Sequence, residues 1–166
     1  MRHHQGMSGR DNRFPTWMAR VAGTRGGQWF GRKVFTPLDK LVYRLTKGKR
    51  GLSPQRSVLL LRTTGRKSGQ PREVPVLYLR DGDRFWVMAS NYGQAHHPAW
   101  ALNLLANPVA HVTIGKLFQK VHARLATEAE KKEKWDELLK LYPAWRSYAT
   151  WTDRRFKLFC LEPLDE

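Results

Sequence analysis

From residue 57 onward, short apolar runs alternate with tight turns, and this spacing constrains the fold more than any other feature. Five runs of four to nine residues lie at 58–61, 73–79, 84–89, 109–114 and 117–125. Asp81-Gly82 and Gly115-Lys116 each separate two runs, and two-residue turns of this kind join antiparallel strands. Pro75 cannot donate to a ladder, so we expect it at a sheet edge or a bulge. Hairpins therefore dominate, and the sequence lacks the repeated βαβ units of a Rossmann sheet.

Helical signals interrupt the strands. Pro98 suits the start of a helix that Asn107-Pro108 ends, and Thr127 and Glu130 have the spacing of a capping box ahead of a longer helix. The segments that follow are a helix to about 141, a helical turn at 144–151 and a strand at 155–162. The predicted order is βββαββααβ, which favours a mainly β fold with some α (α+β) and a compact antiparallel barrel or sheet.

The N-terminal part differs in composition from this domain. Twelve basic and two acidic residues fall in residues 1–50, so +10 of the net charge of +16 lies there. Apolar residues recur at helical spacing at Leu38, Leu41, Val42 and Leu45. We therefore predict a flexible basic extension, residues 1–56, with an amphipathic helix over about 30–47, followed by one folded domain at 57–166.

The charge and the cysteine content bound the partners and the compartment. A basic excess attracts nucleic acid, an anionic membrane leaflet or an oligo-anionic cofactor. The single Cys160 excludes an intramolecular disulfide, and no signal-peptide pattern or apolar run of about 18 residues is present, so we expect a cytoplasmic protein. The histidine and carboxylate spacings match neither a metal site nor a hydrolytic motif, which leaves the metal prediction at none.

One turn combines glycines, hydroxyls and bases. The segment Gly65-Arg66-Lys67-Ser68-Gly69-Gln70-Pro71-Arg72 offers backbone N–H groups, bidentate guanidinium groups and a lysine point charge, which together suit a phosphate or carboxylate. A solvated basic hairpin loop fits the same residues equally well, because basic turns are common. The segment matches neither a Walker loop nor a dinucleotide fingerprint.

Aromatic residues recur every third position near the C-terminus, at Tyr142, Trp145, Tyr148 and Trp151. At helical spacing these side chains share one face, which is more often core packing than a ligand wall. A tyrosine nevertheless places a hydrogen-bond donor on an apolar body, as a pocket for a planar substrate requires. Both interpretations stay open on the residues alone.

Several separated motifs resemble the deazaflavin-dependent nitroreductase family. They are Leu59 to Arg72, Leu79-Arg80-Asp81-Gly82, His97 to Leu104, Ala106-Asn107-Pro108, Tyr142-Pro143, Trp151-Thr152-Asp153-Arg154 and Glu162-Pro163. The resemblance covers about residues 57–163 in the correct order. It implies a split β-barrel similar to flavin-binding barrels, and the anionic deazaflavin coenzyme F420 as cofactor. The implied activity is hydride transfer from reduced F420 to a quinone, a nitroaromatic compound or a conjugated enone or lactone.

The resemblance also implies roles for individual residues. The residues implied to hold the cofactor are Arg66, Lys67, Ser68 and Arg72 at its tail, Val74, Pro75, Val76 and Leu77 along its ring, Met88, Ser90 and Asn91 beside it, Ala99, Trp100 and Asn103 at its far side, and Trp145 as a wall. Ser90 and Tyr148 are the implied catalytic residues, since either hydroxyl could polarise or protonate the acceptor. Tyr142, Trp145 and Tyr148 are the implied substrate contacts.

Three departures from the nitroreductase pattern concern the substrate more than the cofactor. Leu77 stands where nitroreductase members offer a tyrosine, with Tyr78 one place later and hence facing the other side of the strand. Trp145 replaces another tyrosine. Asn91 replaces a lysine and removes one cation near the cofactor.

Two alternative functions follow from the same sequence. An FMN-binding oxidoreductase would use the same barrel, although F420 gives all three loop bases an anionic partner. A basic nucleic-acid-binding module would account for the pI of about 10.6, but no recognised nucleic-acid motif supports a specific one. We further expect a monomer or a homodimer, and a helix at 30–47 that either caps the barrel or contacts the anionic inner face of the cell membrane.

Overall fold

The computed structural model describes residues 57–164 together with Thr24. The strands are β1 (Val58–Thr64), β2 (Pro71–Asp81), β3 (Arg84–Ala89), β4 (Val109–Ile114), β5 (Leu117–Leu125) and β6 (Lys157–Pro163). The helices are α1 (Ala99–Ala106), α2 (Glu128–Leu141) and α3 (Ala144–Ala149), with a 3-10 turn at Asn91–Gly93. The predicted order βββαββααβ is confirmed, and the sequence missed only the 3-10 turn.

The six strands form one closed antiparallel barrel in the order β1-β2-β3-β6-β5-β4. Two-residue loops at Gly82-Asp83 and Gly115-Lys116 join neighbouring strands, with Gly82 at φ +62° and Gly115 at φ +60°. These left-handed positions suit glycine, which has no Cβ to clash. The predicted barrel is therefore confirmed. The second hairpin turn lies where the sequence predicts it, and the first lies one residue later, at Gly82-Asp83 instead of Asp81-Gly82.

Pro75 lies within β2, opposite Leu60 of β1. The pairing of β2 with β3 covers only Tyr78 to Asp81, so Pro75 belongs to the part of β2 that pairs with β1. A proline there leaves no gap in the β2–β3 ladder. Pro75 thus has a paired strand on its β1 side and no β3 partner, which confirms the predicted edge position.

Alternation along the strands sends side chains to two separate apolar clusters. The barrel-interior cluster includes Leu59, Leu61, Phe85, Val87, Ala89, Val112, Val121, Phe159 and Leu161. The helix-side cluster lies on the outer face of β3 and β6 under α2 and α3, and includes Trp86, Met88, Leu138, Leu139, Tyr142, Trp145, Tyr148, Leu158 and Cys160. Trp86 and Val87 are neighbours in sequence and yet belong to different clusters.

Helix α2 begins where the sequence predicts. Thr127 accepts a hydrogen bond from the backbone N–H of Glu130 at 3.2 Å, and the Glu130 carboxylate accepts from the Thr127 N–H at 2.8 Å, which completes the capping box. This reciprocal pair satisfies two helix-end donors. The predicted helix at 30–47 lies outside the described residues, so the extension stays a prediction. In the part of the chain that the structure describes, no helix is both long and apolar enough to cross a bilayer.

Candidate functional site

The basic loop between β1 and β2 is closed by its own backbone. The Gly65 N–H donates to the Gln70 carbonyl at 2.8 Å, and the Gly69 N–H donates to the Gly65 carbonyl at 2.7 Å. A Cβ at Gly65 would lie 2.7 Å from the Ser68 Oγ and 3.1 Å from the Gln70 carbonyl oxygen, so a larger residue there would displace its neighbours in the turn. The loop is a compact turn with a defined shape.

Asn103 fastens this loop to α1. Its Oδ1 accepts from the Arg66 backbone N–H at 3.1 Å, and its Nδ2 donates to the Thr63 Oγ1 at 3.1 Å. Both Asn103 and Thr63 are buried polar residues, at 4% and 2% exposed. A buried amide with both ends bonded fixes its neighbours. The side chain predicted to contact the cofactor therefore also holds the loop in place.

The three loop bases point into solvent. Arg66, Lys67 and Arg72 are exposed, and within residues 57–164 none of them forms an ion pair with a carboxylate. Arg72 donates to the Ser68 Oγ at 3.4 Å, which places one guanidinium over the turn. Positive charge gathered on a rigid turn favours an oligo-anionic ligand.

The structure separates the residues predicted along the ring. Val74 and Val76 pack against the barrel-interior cluster, whereas Leu77 packs against the helix-side cluster. Tyr78 points inward and meets Phe85 edge to face at 5.5 Å between ring centroids. The predicted opposite facing of Leu77 and Tyr78 is confirmed, because successive side chains of a strand alternate.

A second group gathers on the helix side. The Trp145 Nε1–H donates to the Ser90 Oγ at 3.1 Å, and the Tyr142 and Tyr148 hydroxyls lie 2.9 Å apart. Met88 belongs to the same cluster. Trp145 and Tyr148 are 3% and 1% exposed, so the aromatic stripe is packed core as well as a candidate wall.

Burial governs the ionisation of this group. It raises the pKa of Tyr148 far above its usual range, with further contributions from the Tyr142 hydroxyl. Tyr78, half-buried on the other side of the sheet, also has a raised pKa because burial disfavours its phenolate. Both phenols stay protonated at neutral pH and can donate hydrogen bonds.

The remaining predicted residues lie near these two groups. Trp100 is half-buried, with its ring tilted over Phe159 at 5.8 Å, and Ala99 is exposed at the start of α1. The Asn91 Nδ2 donates to the His96 carbonyl at 2.9 Å, so this amide is engaged within its own loop. Within the described residues no cluster of metal-ligating side chains occurs.

Sequence reasoning missed one residue at the site. Arg154 reaches from the segment before β6 to the loop that carries Ser90, and it donates to the Ala89, Ser90 and Gln94 carbonyls at 3.0, 2.6 and 2.9 Å. The motif Trp151-Thr152-Asp153-Arg154 had signalled importance without a role. Nothing in the local pattern could have shown that this guanidinium serves a loop some 60 positions earlier.

Comparisons with known proteins point to one family. A family model described as F420H(2)-dependent quinone reductase matches residues 38–163. A Mycobacterium tuberculosis (strain H37Rv) protein, provisionally named an F420H(2)-dependent quinone reductase, is 36% identical over 105 residues, covering 63% of this chain and 88% of its own. Three further mycobacterial relatives match at 39% identity over 93 residues, which is 62% of their length and 53% of this chain.

Solved structures show the same barrel. One described as an F420-H2 dependent reductase has a TM-score of 0.60 and 33% identity, covering 64% of this chain and 95% of that chain. Another, described as a domain-swapped dimer, has a TM-score of 0.61 and 30% identity, covering 74% of this chain and 94% of that chain.

The basic loop fits the cofactor that this family uses. F420 carries an anionic tail, and the basic loop offers exposed cations on a turn that the hydrogen bond from the Gly65 N–H to the Gln70 carbonyl closes. The family model bears the description of quinone reduction, so the nitroreductase designation stays a prediction. With its match covering residues 38–163, the chain belongs to the F420H(2)-dependent quinone reductase family.

Proposed function

We propose that this chain binds reduced coenzyme F420 through the basic loop and passes its hydride to a quinone. The observation that carries the proposal is the loop itself, where three exposed bases stand on a turn anchored through Asn103 and form no ion pair within residues 57–164. When bound, F420 supplies the hydride from a ring carbon, and the protein supplies binding, orientation and electrostatics.

The cofactor-binding residues are proposed in two places. Arg66, Lys67, Ser68 and Arg72 hold the anionic tail by charge-assisted hydrogen bonds. The ring side is proposed to involve Val74, Pro75, Val76, Leu77, Met88, Ser90, Asn91, Ala99, Trp100, Asn103 and Trp145. Val76 and Leu77 face opposite clusters, so their side chains cannot both lie against one face of the ring. We propose that the β2 backbone between them also contacts it.

Ser90 is the proposed catalytic hydroxyl at the acceptor. Its oxygen accepts the Trp145 indole N–H at 3.1 Å, which leaves the hydroxyl proton available to donate elsewhere. A half-buried donor at this point would stabilise the negative charge that develops on a quinone oxygen as hydride arrives. Protein dipoles that are already oriented do this without a reorganisation cost.

Tyr142, Trp145 and Tyr148 are proposed to form the substrate wall. The Tyr148 hydroxyl is buried and bonded to that of Tyr142, so Tyr148 would act at the acceptor through the less deeply buried Tyr142. A planar quinone suits an aromatic wall because offset ring stacking is favourable. Nitroaromatic compounds and conjugated enones are planar acceptors as well, and they extend the proposal beyond quinones.

Location and assembly complete the proposal. A lipid-soluble quinone would be reached more readily if the predicted basic helix at 30–47 touched an anionic leaflet, in an otherwise cytoplasmic protein. A homodimer is proposed alongside the monomer, since a structurally similar protein is described as a domain-swapped dimer.

Binding of F420 to matched variants tests the proposal. We expect Arg66→Gln and Arg72→Gln each to weaken F420 binding about tenfold, the loss of one charge-assisted contact. Lys120→Gln is the control, because Lys120 is an exposed base on β5, and β4 separates that strand from β1 and the loop. Titration of the intrinsic F420 fluorescence measures all three dissociation constants.

Two outcomes would contradict the proposal. If Lys120→Gln weakens F420 binding as much as the loop variants do, the effect is one of general charge. If the folded protein does not catalyse the oxidation of F420H2 by menaquinone, the proposed activity is wrong. An absorbance spectrum of the purified protein separates the FMN alternative, because tightly held FMN colours it yellow.

A further inference from the structure

Arg154 is a half-buried cation whose partners are neutral. Besides the carbonyls of Ala89, Ser90 and Gln94, its guanidinium meets the His97 Nδ1 at 2.9 Å and lies 4.9 Å above the Phe156 ring. No carboxylate within residues 57–164 forms an ion pair with it. A buried arginine normally has an anionic partner. Arg154 has carbonyl acceptors instead, so its placement must be explained by what those carbonyls belong to.

The loop that Arg154 holds has an uncommon backbone. Asn91, Tyr92 and Gly93 follow one another at φ +48°, +54° and +72°, all in the left-handed region. For an aromatic residue such as Tyr92 this conformation is costly, and it persists only where the surroundings determine it. Arg154 bonds the carbonyls on both sides of this run, at Ser90 and at Gln94.

Helix α3 closes the run from the other side. A Cβ at Gly93 would lie 3.0 Å from the Tyr148 carbonyl oxygen and 3.2 Å from the Trp151 ring, so the loop touches the backbone of α3 directly. Strained backbone of this kind occurs mostly at functional sites. The strained run begins at the residue after Ser90, whose hydroxyl receives the Trp145 indole N–H.

We propose that Arg154 is the positioning residue that holds the left-handed run 91–93 and thereby aims the Ser90 hydroxyl at the acceptor. This inference rests on the proposed function, and it extends it to a residue that does not itself touch the cofactor or the substrate. The fork geometry matters more than the charge, since a guanidinium binds several carbonyls at once and an ammonium is a single point.

The first test uses the protein without cofactor. Arg154→Lys keeps the charge and loses the fork, and Arg155→Lys is the matched control at an exposed neighbour. We expect Arg154→Lys to accelerate hydrogen exchange of the Gly93 and Gln94 amides at least about tenfold. The Trp145 indole N–H resonance should move toward its position in Ser90→Ala. Arg155→Lys should change neither.

The second test uses F420H2 and menaquinone. We expect Arg154→Lys to lower kcat about tenfold or more while KM for the quinone changes less than about twofold, since orientation of the donor is lost rather than binding. The double variant Arg154→Lys/Ser90→Ala should be no slower than Ser90→Ala alone, because both changes remove the same contribution. A merely structural role would show multiplied losses.

Each outcome decides the proposal. Unchanged exchange and an unmoved Trp145 indole in folded Arg154→Lys would overturn it, as would multiplied losses in the double variant. If Arg154→Lys fails to fold, His97→Phe removes one acceptor and should loosen the same amides to a smaller extent. Should the wild type not oxidise F420H2, the proposed function fails, while the exchange and indole measurements still decide what Arg154 holds.

Discussion

The two faces of the barrel sheet bury apolar side chains in different ways. The buried members of the barrel-interior cluster are aliphatic or phenyl side chains without a polar atom. The helix-side cluster is equally buried but contains phenol, indole and thiol groups, including Tyr142, Tyr148, Trp145 and Cys160. One strand, β3, serves both clusters with alternate residues.

The difference separates packing that depends on volume alone from packing that also fixes polar groups. An interior of Leu, Val and Phe needs only the right volume and alternation, and many sequences supply that. Buried hydroxyl and indole groups must be hydrogen-bonded, so each one restricts the positions of its neighbours. The Ser90–Trp145 and Tyr142–Tyr148 contacts therefore make the helix side the part of the fold where small displacements should affect chemistry.

Matched leucine truncations test this separation with the largest expected effect. Leu161 of the interior and Leu138 of the helix side are both 0% exposed. Leu161→Ala and Leu138→Ala should each lower the free energy of unfolding by about 2–5 kcal/mol, as buried leucine truncations do. Denaturant unfolding measures both values.

The same two variants should differ in their rate of quinone reduction, although they lose similar stability. Leu161 pairs with Phe85, at the end of β3 away from Ala89 and Ser90, so the rate of quinone reduction per folded molecule should stay near that of the wild type. Leu138→Ala loosens the end of α2 next to Tyr142, whose hydroxyl bonds to that of Tyr148, and we expect a rate loss of about tenfold, the scale of a small misplacement. Equal rate losses would show that the two clusters do not differ in function.

Local patterns in the sequence were sufficient to predict the helices and the hairpin-linked strands. The hairpin turn at Gly115-Lys116, the capping box of Thr127 and Glu130, and Pro98 ahead of α1 all follow short-range rules of backbone geometry. The closure of six strands into one barrel came from the family resemblance, because pairings such as β1 with β4 join residues about 50 positions apart. No local rule specifies that pairing.

The sequence predicted which residue types form the candidate site better than it predicted how they contact one another. The basic loop was visible as glycines and bases, whereas its attachment through Asn103 depends on a contact 37 positions away. Asn91 and Gly93 are residues that tolerate left-handed backbone, so two of the three strained positions had a sequence signal. Tyr92 had none, and Arg154 lay in a resembling motif that gave it no role, since both roles exist only once the strands have brought the loop and β6 together.

An acid titration of Glu130 tests the helix side with a smaller effect. Bonds to the Arg124 guanidinium at 2.8 and 2.9 Å, with the Thr127 N–H bond, lower the pKa of Glu130 from 4.5 to about 2. A lowered carboxyl pKa stabilises the fold above pH 4.5, and this stabilisation is lost as the pH falls toward 2. Glu130→Gln should therefore cost about 1 kcal/mol at pH 7, since solvent screens a partly exposed pair.

Glutamine keeps the capping geometry, so this variant isolates the ion pair from the helix cap. Urea unfolding of both proteins should show the gap in the free energy of unfolding shrinking below pH 4.5 and closing near pH 2. A gap of constant size from pH 7 to pH 3 would mean that the carboxylate charge is not what stabilises the start of α2.

Cys160 is a native probe of the helix side, so the label site itself requires no substitution. It is the only cysteine, it is 0% exposed in the helix-side cluster, and burial raises its pKa to about 11. At pH 8 a thiol reagent should react about a thousandfold more slowly than with a free thiol, because the thiolate is scarce and covered.

If the helix layer opens while the barrel stays closed, the labelling rate should depend less steeply on denaturant than global unfolding does. Leu138→Ala should then accelerate labelling at low denaturant more than Leu161→Ala does. Labelling that follows global unfolding in both variants would show one cooperative unit, and the distinction between the two faces would then concern chemistry alone.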